Sequence, residues 1–295
     1  MTYLGERTEA PAWFLDAVAT APEIGEVEVA GAVIAYRAWG PPGGDGIVLV
    51  HGGAAHSRWW DHIAPLLAAG IRVVAPDLSG HGDSSHRDRY SLDLWAEEVM
   101  AAAGAGGIDG PPFIIGHSMG GFVALRAGAR YGRDLRAVVA VDSPLRDFTP
   151  EERAAREGQA FAPQRVYPTA EDAIARFRTL PPQDTLPFVL KHVAETSVRE
   201  VEGGWSWKFD PGVFHRDPAV FEPVLPVDCP AILMPGEYGL LAGHTPNLLT
   251  DVAGRPVPAI EIPQAAHHVM LDSPLTLITS LRALIAAWNR WPPTG

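Results

Sequence analysis

Pro112-Phe113-Ile114-Ile115-Gly116-His117-Ser118-Met119-Gly120-Gly121 is the stretch from which the rest of the chain can be read. Three apolar β-formers run straight into G-x-S-x-G, and a helix-like run over residues 122–131 follows at once. Strand, sharp turn and helix are the context that a nucleophile elbow requires. Such a turn strains the backbone at Ser118 and lifts its hydroxyl above the sheet. Gly116 and Gly120 are needed because a Cβ at either place would collide with the crossing strand and helix. The alternative is a glycine-rich turn with an idle serine. The buried strand before the motif and the helix after it favour the nucleophile.

Outward from this stretch, strands and helices alternate. Glu26-Val27-Glu28-Val29 alternates in polarity, Ala30-Gly31 turns, and residues 32–39 return, which reads as a β-hairpin. Ile47-Val48-Leu49-Val50 is a continuous apolar run, as expected of a parallel strand covered on both faces, and it ends in His51-Gly52-Gly53-Ala54. A helical pattern over 59–69, a strand over 71–76 and a helix capped by Ser91 lead to the elbow. Beyond it come a buried strand over 135–141, strand signals at 231–234 and 259–262, and an amphipathic helix over 273–288 with Pro274 at its first position. Between 144 and 227 charged helical segments alternate with proline-rich loops. This alternation means an α/β chain with a doubly wound, mostly parallel sheet. The divergent middle sits over the carboxyl edge of the sheet, where such folds bind ligands.

A serine hydroxyl is a poor nucleophile until a base takes its proton. The candidate base lies in Ala265-Ala266-His267-His268, the loop between the last strand signal and the last helix. That is third place in the order serine, acid, histidine. With elbow and histidine loop in place, the chain resembles the α/β-hydrolase fold superfamily over essentially all its length outside the middle segment. The resemblance implies a mostly parallel eight-stranded sheet with a mainly helical cap inserted after strand six. Residues 1–144 and 228–295 would form the core and 145–227 the cap.

In that family the histidine is followed seven residues later by proline, so Pro274 points to His267 as the base. His268 then takes a place usually held by an aromatic and is expected to pack. The acid departs from the commoner pattern. The G-x-x-D position after the seventh core strand reads Gly236-Glu237-Tyr238-Gly239, with glycine where the aspartate usually stands and Glu237 as an alternative acid. The family's other location, the end of the sixth strand, offers Asp142. A charged residue closing a buried apolar strand needs a partner, because desolvating it alone is costly. Asp142 is therefore the expected acid, and its non-catalytic reading is a hinge residue bonding backbone amides. The oxyanion hole falls to the backbone N–H groups of Met119 and Gly53, with Ala54 as the alternative to Gly53. His51 and the stretch Ser79-Gly80-His81-Gly82-Asp83-Ser84 match family features that shape loops, and His117 is expected in the pocket wall.

A chain of 295 residues with 47% hydrophobic and 20% charged residues supports a large buried core. Its net charge of −12 argues against nucleic acid and anionic membranes as partners, since little would neutralise phosphates. Cys229, the single cysteine, excludes a disulfide framework and fits a reducing, cytoplasmic compartment. Residues 1–22 show no basic-then-apolar leader, and no apolar run reaches the roughly 18 residues of a membrane span. No metal is expected, because His267-His268 and the pair His51 and His56 lack a third ligand at suitable spacing. No cofactor is expected, since the elbow lacks a P-loop lysine and G-x-G-x-x-G is absent.

Trp205-Ser206-Trp207-Lys208-Phe209 puts three aromatics at period two, on one face of a short strand that follows the turn Gly203-Gly204. These rings either glue the middle segment to the core or, with His117, line a pocket for a neutral, apolar, bulky substrate. Phe161, Tyr167, Phe188 and Phe214 are weaker candidates. The expected function is a serine hydrolase that opens a small-molecule ester or lactone through an acyl-enzyme, with homo-oligomerisation left open. A carbon–carbon bond hydrolase would use the same triad, and a weakly active ligand receptor on this fold is the reading from outside enzymology.

Overall fold

Nine strands are present in the computed structural model, which describes residues 9–145, 164–214, 226–242 and 256–290. They are β1 (Glu23–Val29), β2 (Ala32–Trp39), β3 (Gly46–Val50), β4 (Arg72–Pro76), β5 (Phe113–His117), β6 (Ala137–Val141), β7 (Val198–Val201), β8 (Gly204–Trp207) and β9 (Ala231–Met234). Seven make one sheet in the order β1-β2-β4-β3-β5-β6-β9, while β7 and β8 form a separate hairpin. From β4 to β9 every pairing is parallel, and β2 joins antiparallel at the other side. The chain winds from β3 to β4 in one direction and from β5 to β6 and β9 in the other. That reversal puts a crevice at the carboxyl ends of β3 and β5. The register aligns Val50 with Gly116, His117 with Val141 and Val141 with Met234. The loops that follow these strands therefore open side by side.

All five residues of β3, of β5 and of β6 are buried, which is why these strands read as unbroken apolar runs. Period-two geometry then divides their side chains between two cores. Ile47, Leu49, Phe113, Ile115, Val139 and Val141 face one layer, and Val48, Val50, Ile114, Val138 and Ala140 face the other. The helices α1 (Ala12–Ala19), α2 (Ala64–Leu67), α3 (Leu92–Ala105), α4 (Met119–Tyr131), α5 (Ala170–Ile174), α6 (Pro187–Thr196), α7 (Val269–Asp272) and α8 (Pro274–Arg290) are distributed along the chain. Helix α8 closes the first layer through Leu277, Leu281 and Ile285, with Trp288 stacked on Phe113 at a centroid distance of 5.8 Å. Ser91 caps α3 as expected, accepting from Leu94 N at 3.2 Å.

Three expectations are corrected by the structure. The eighth strand is not a ladder among the described residues: 259–262 touches the sheet through two isolated parallel bridges, Leu233 with Ala259 and Gly236 with Ile262. Pro235, Pro258 and Pro263 supply no N–H there, so pairing cannot run on. The helix expected over 59–69 splits into a 3₁₀ turn, Ser57–Trp60, and the short α2, whose start carries Pro65. Finally, the described part of the middle segment is mixed in structure, with α5 and α6 beside the β7–β8 hairpin.

The middle segment is bound closely to the sheet layers. Phe188, Val189 and Val193 of α6 belong to the first core, and Val213 to the second. Phe188 meets Phe14 edge-on at 4.9 Å, and His192 Nε2 lies 3.0 Å from Asp61 Oδ2. Cys229 lies just before β9, and burial pushes its thiol up to about 12. No helix among the described residues is long and apolar enough to cross a membrane.

Candidate active site

Ser118 sits between β5 and α4 with φ 53° and ψ −115°, a left-handed conformation that a non-glycine residue adopts only where its surroundings impose it. Its N–H donates to Val141 O at 2.9 Å, which ties the bend to β6. The glycine requirement is steric. A Cβ on Gly116 would stand 1.9 Å from Gly120 O, and one on Gly120 would stand 2.4 Å from Val50 O. Strand and helix thus cross at backbone contact, leaving Ser118 partly exposed at the crest.

One strand over, Asp142 follows β6 with φ 39° and is fully buried. Its carboxylate is saturated with donors. Gly236 N donates to Oδ1 at 3.1 Å, Leu240 N donates to Oδ2 at 2.9 Å, and His267 Nδ1 donates to Oδ2 at 2.6 Å. The pairing that burial demands is therefore present, and it is made with the imidazole named from sequence. Glu237 is not brought there. It lies at the surface, where the N–H of Gln264 donates to Oε2 at 2.8 Å and holds the carboxyl below its ordinary range. The reason lies in Gly239: a Cβ there would stand 2.1 Å from Asp142 Oδ1. Asp142 fills the volume beside position 239, which only glycine leaves open.

The histidine loop is clamped from below. Asp272 Oδ2 accepts from Ala266 N at 2.7 Å and from Gln183 Nε2 at 2.8 Å, and Gln183 Oε1 accepts from His268 N at 2.7 Å. Burial lifts the Asp272 carboxyl to about 6. His268 packs, as expected: its ring is buried 5.7 Å from Trp59 with Nε2 donating to Leu180 O at 3.2 Å, and burial lowers it to about 3. His117 is also buried and donates from Nε2 to His267 O at 2.9 Å. Burial, then the neighbouring His267, keep it well below its ordinary value. His51 shapes its own loop, with Nε2 accepting from Leu78 N at 3.0 Å and Nδ1 donating to Gly52 O at 2.7 Å, and burial lowers it to about 4.

The loop after β3 lies against the elbow. A Cβ on Gly52 would be 3.3 Å from Ser118 Cβ, and one on Gly53 would be 3.3 Å from Phe214 and 3.8 Å from Met119 Sδ. Gly53 and Met119 are thus neighbours beside Ser118, and Ala54 next to them has φ 57°. Trp205 and Trp207 pack on a satellite cluster of Tyr167, Ala173 and Val198, and the residue between them, Ser206, is the more deeply buried. Phe209 meets Phe214 edge-on at 6.0 Å, so Phe214 is the ring that reaches the Gly53 loop. Phe161 lies outside the described residues.

A sequence model of the alpha/beta hydrolase family matches residues 47–279, from β3 into the first turns of α8. The chain belongs to the alpha/beta hydrolase family. Within it, the chain is 35% identical over 104 residues to Lipase LipV of Mycobacterium tuberculosis, a match covering 35% of this chain and 39% of that protein. The chain thus spans about two fifths of that relative. It is 27% identical over 279 residues to Esterase Rv0045c of the same organism, covering 90% of this chain and 89% of the esterase. A crystal structure of E-2-(acetamidomethylene)succinate hydrolase matches with a TM-score of 0.71 at 21% identity, over 90% of this chain and all of that one, which shows the shared fold.

Several features of this chain were beyond reach of sequence reading. The pairing of Gln183 with the histidine loop joins positions 85 residues apart, and nothing in local pattern marks it. The same holds for Tyr90, whose hydroxyl donates to Asp210 Oδ2 at 2.6 Å. Most consequential is a third imidazole beside His267 and His268. Sequence spacing offered only two, but the fold brings His117 to them, with ring nitrogens of all three within 4.8 Å of one another.

Proposed function

We propose that this chain is a serine hydrolase of carboxylic esters, and that the residues 145–227 cover its site as a cap. The observation that carries the reading is the buried 2.6 Å contact between His267 Nδ1 and Asp142 Oδ2, one residue after Val141, whose carbonyl accepts the N–H of the strained Ser118. In this reading His267 Nε2 takes the Ser118 proton as Oγ attacks the ester carbonyl. The N–H groups of Gly53 and Met119 receive the developing oxyanion, aided by the amino end of α4. His267 returns the proton to the leaving alcohol, and the acyl group stays on Ser118. Water, deprotonated by His267, then releases the acid and restores the serine. Asp142 fixes the imidazole tautomer and stabilises its cation. The names of the relatives, a lipase and an esterase, support an ester over other acyl substrates.

The substrate proposed is neutral, with an apolar acyl or alcohol part that meets Phe214; a lactone satisfies the same geometry. The decisive experiment is labelling with an aryl phosphonate. One adduct per chain is expected, located on Ser118 by mass spectrometry and absent from Ser118→Ala, with an acid and an alcohol as products of ester turnover. An adduct elsewhere overturns the assignment. A higher kcat/KM for short acetates than for bulky aryl esters removes the proposed substrate class.

A further inference from the structure

His117, His267 and His268 form the one group of three or more metal-ligating side chains with ligand atoms within 4.8 Å of one another among the described residues, and all three are buried. Each ring has one nitrogen fixed by an outer partner. His267 Nδ1 donates to the Asp142 carboxylate, His117 Nε2 to the His267 carbonyl, and His268 Nε2 to the Leu180 carbonyl. Metal-binding histidines are oriented in this way, with the outer N–H on a carboxylate or carbonyl and the other nitrogen's lone pair turned to the ion. The remaining nitrogens are Nδ1 of His117, Nδ1 of His268 and Nε2 of His267. The first two are buried and have no hydrogen-bond partner.

We propose that these three imidazoles bind one borderline transition-metal ion of the Zn2+ type, and that the bound ion silences the enzyme. Three neutral imidazoles suit Zn2+, Cu2+ or Ni2+, whereas Mg2+ and Ca2+ take oxygen ligands. Nitrogens at about 2.1 Å from a tetrahedral ion stand roughly 3.4 Å apart. One nitrogen from each ring lies within 4.8 Å of those of the other two, so closing the site requires the rings to turn inward. Ser118, next to His117 in the chain, is partly exposed. Coordination uses the lone pair of His267 Nε2 without releasing a proton, and this is the pair that the proposed chemistry needs for Ser118. The inhibition rests on that functional reading; the binding does not.

The test uses the full chain, stripped with EDTA and dialysed. Calorimetric titration with ZnCl2 should show one ion per chain at the site, for the wild type and equally for Ser118→Ala. Hydrolysis of p-nitrophenyl butyrate should fall over the same Zn2+ range, recover with EDTA and ignore MgCl2. His268→Phe, with His268→Gln beside it in case the first does not fold, should weaken Zn2+ binding at least about tenfold, the loss seen when even an outer partner of a ligand is removed. Independently of any variant, Cu2+ bound to the wild type should show nitrogen superhyperfine splitting in its paramagnetic resonance spectrum. Unchanged Zn2+ affinity in a folded His268 variant overturns the proposal, as does a Cu2+ spectrum without nitrogen splitting. Metal binding without any esterase activity defeats the functional reading alone, and esterase activity indifferent to Zn2+ defeats this one alone.

Discussion

At the scale of single residues, the buried carboxylate of Asp142 and the surface carboxylate of Glu237 make opposite predictions. On the proposed mechanism Asp142→Asn removes the charge that steadies the His267 cation, and kcat/KM is expected to fall by about 10³-fold or more. Glu237→Gln, whose partner is the Gln264 amide, should change it by no more than the roughly 0.5 kcal/mol of an ordinary surface substitution. Steady-state kinetics on one ester compares the two, and a crippling Glu237→Gln beside a mild Asp142→Asn reverses the assignment. Asp142 was legible because a charge that ends an apolar strand must find a partner. The third imidazole was not, because His117 reads as a pocket-wall residue of the elbow until the fold sets it against a loop 150 residues later.

At the scale of elements, α6 tests whether the middle segment is a separable lid. Phe188 packs on Phe14 and Trp13 within the main core. Phe188→Ala should therefore cost about 3–5 kcal/mol, as a core phenylalanine does, and urea unfolding should stay a single transition. A loss under about 1 kcal/mol, or a separate early transition, would mark α6 as an independent unit. Elements were readable wherever burial was complete on both faces, as in β3, β5 and β6. Reading failed where proline interrupts a hydrophobic pattern: Pro65 divides one helix, and Pro258 and Pro263 reduce a strand to two bridges. The β7–β8 hairpin was marked by its glycines, but which of its faces lies deeper depends on distant partners such as Arg165 O, which accepts from Ser206 Oγ at 2.9 Å.

At the scale of the molecule, buried neutral histidines set the response to acid. Burial lowers His51 and His62 to about 4 and His268 to about 3, and holds His56 and His117 well below the ordinary value. All five take up protons near pH 6.5 once unfolded but not while folded. Stability is therefore greatest above that pH and is lost as pH falls through it toward the folded values. From pH 7 to 5.5 each contributes a loss of about 1 kcal/mol. Asp272 works the other way, since its carboxyl near 6 favours the folded state as pH drops. The net expectation is several kcal/mol, read from urea midpoints across that interval. A flat profile would show that these rings are hydrated or paired in the folded state.

Gly239 carries a consequence for how this site could have changed. Its missing side chain is the space that Asp142 occupies, so the two positions cannot both bear an acid. Gly239→Asp alone would drive two negative groups into one volume, and Asp142→Ala alone would strand the imidazole. On the proposed reading, moving the acid to position 239 requires both exchanges together. Position 239 is thus held to glycine for as long as the Asp142 carboxylate occupies that space.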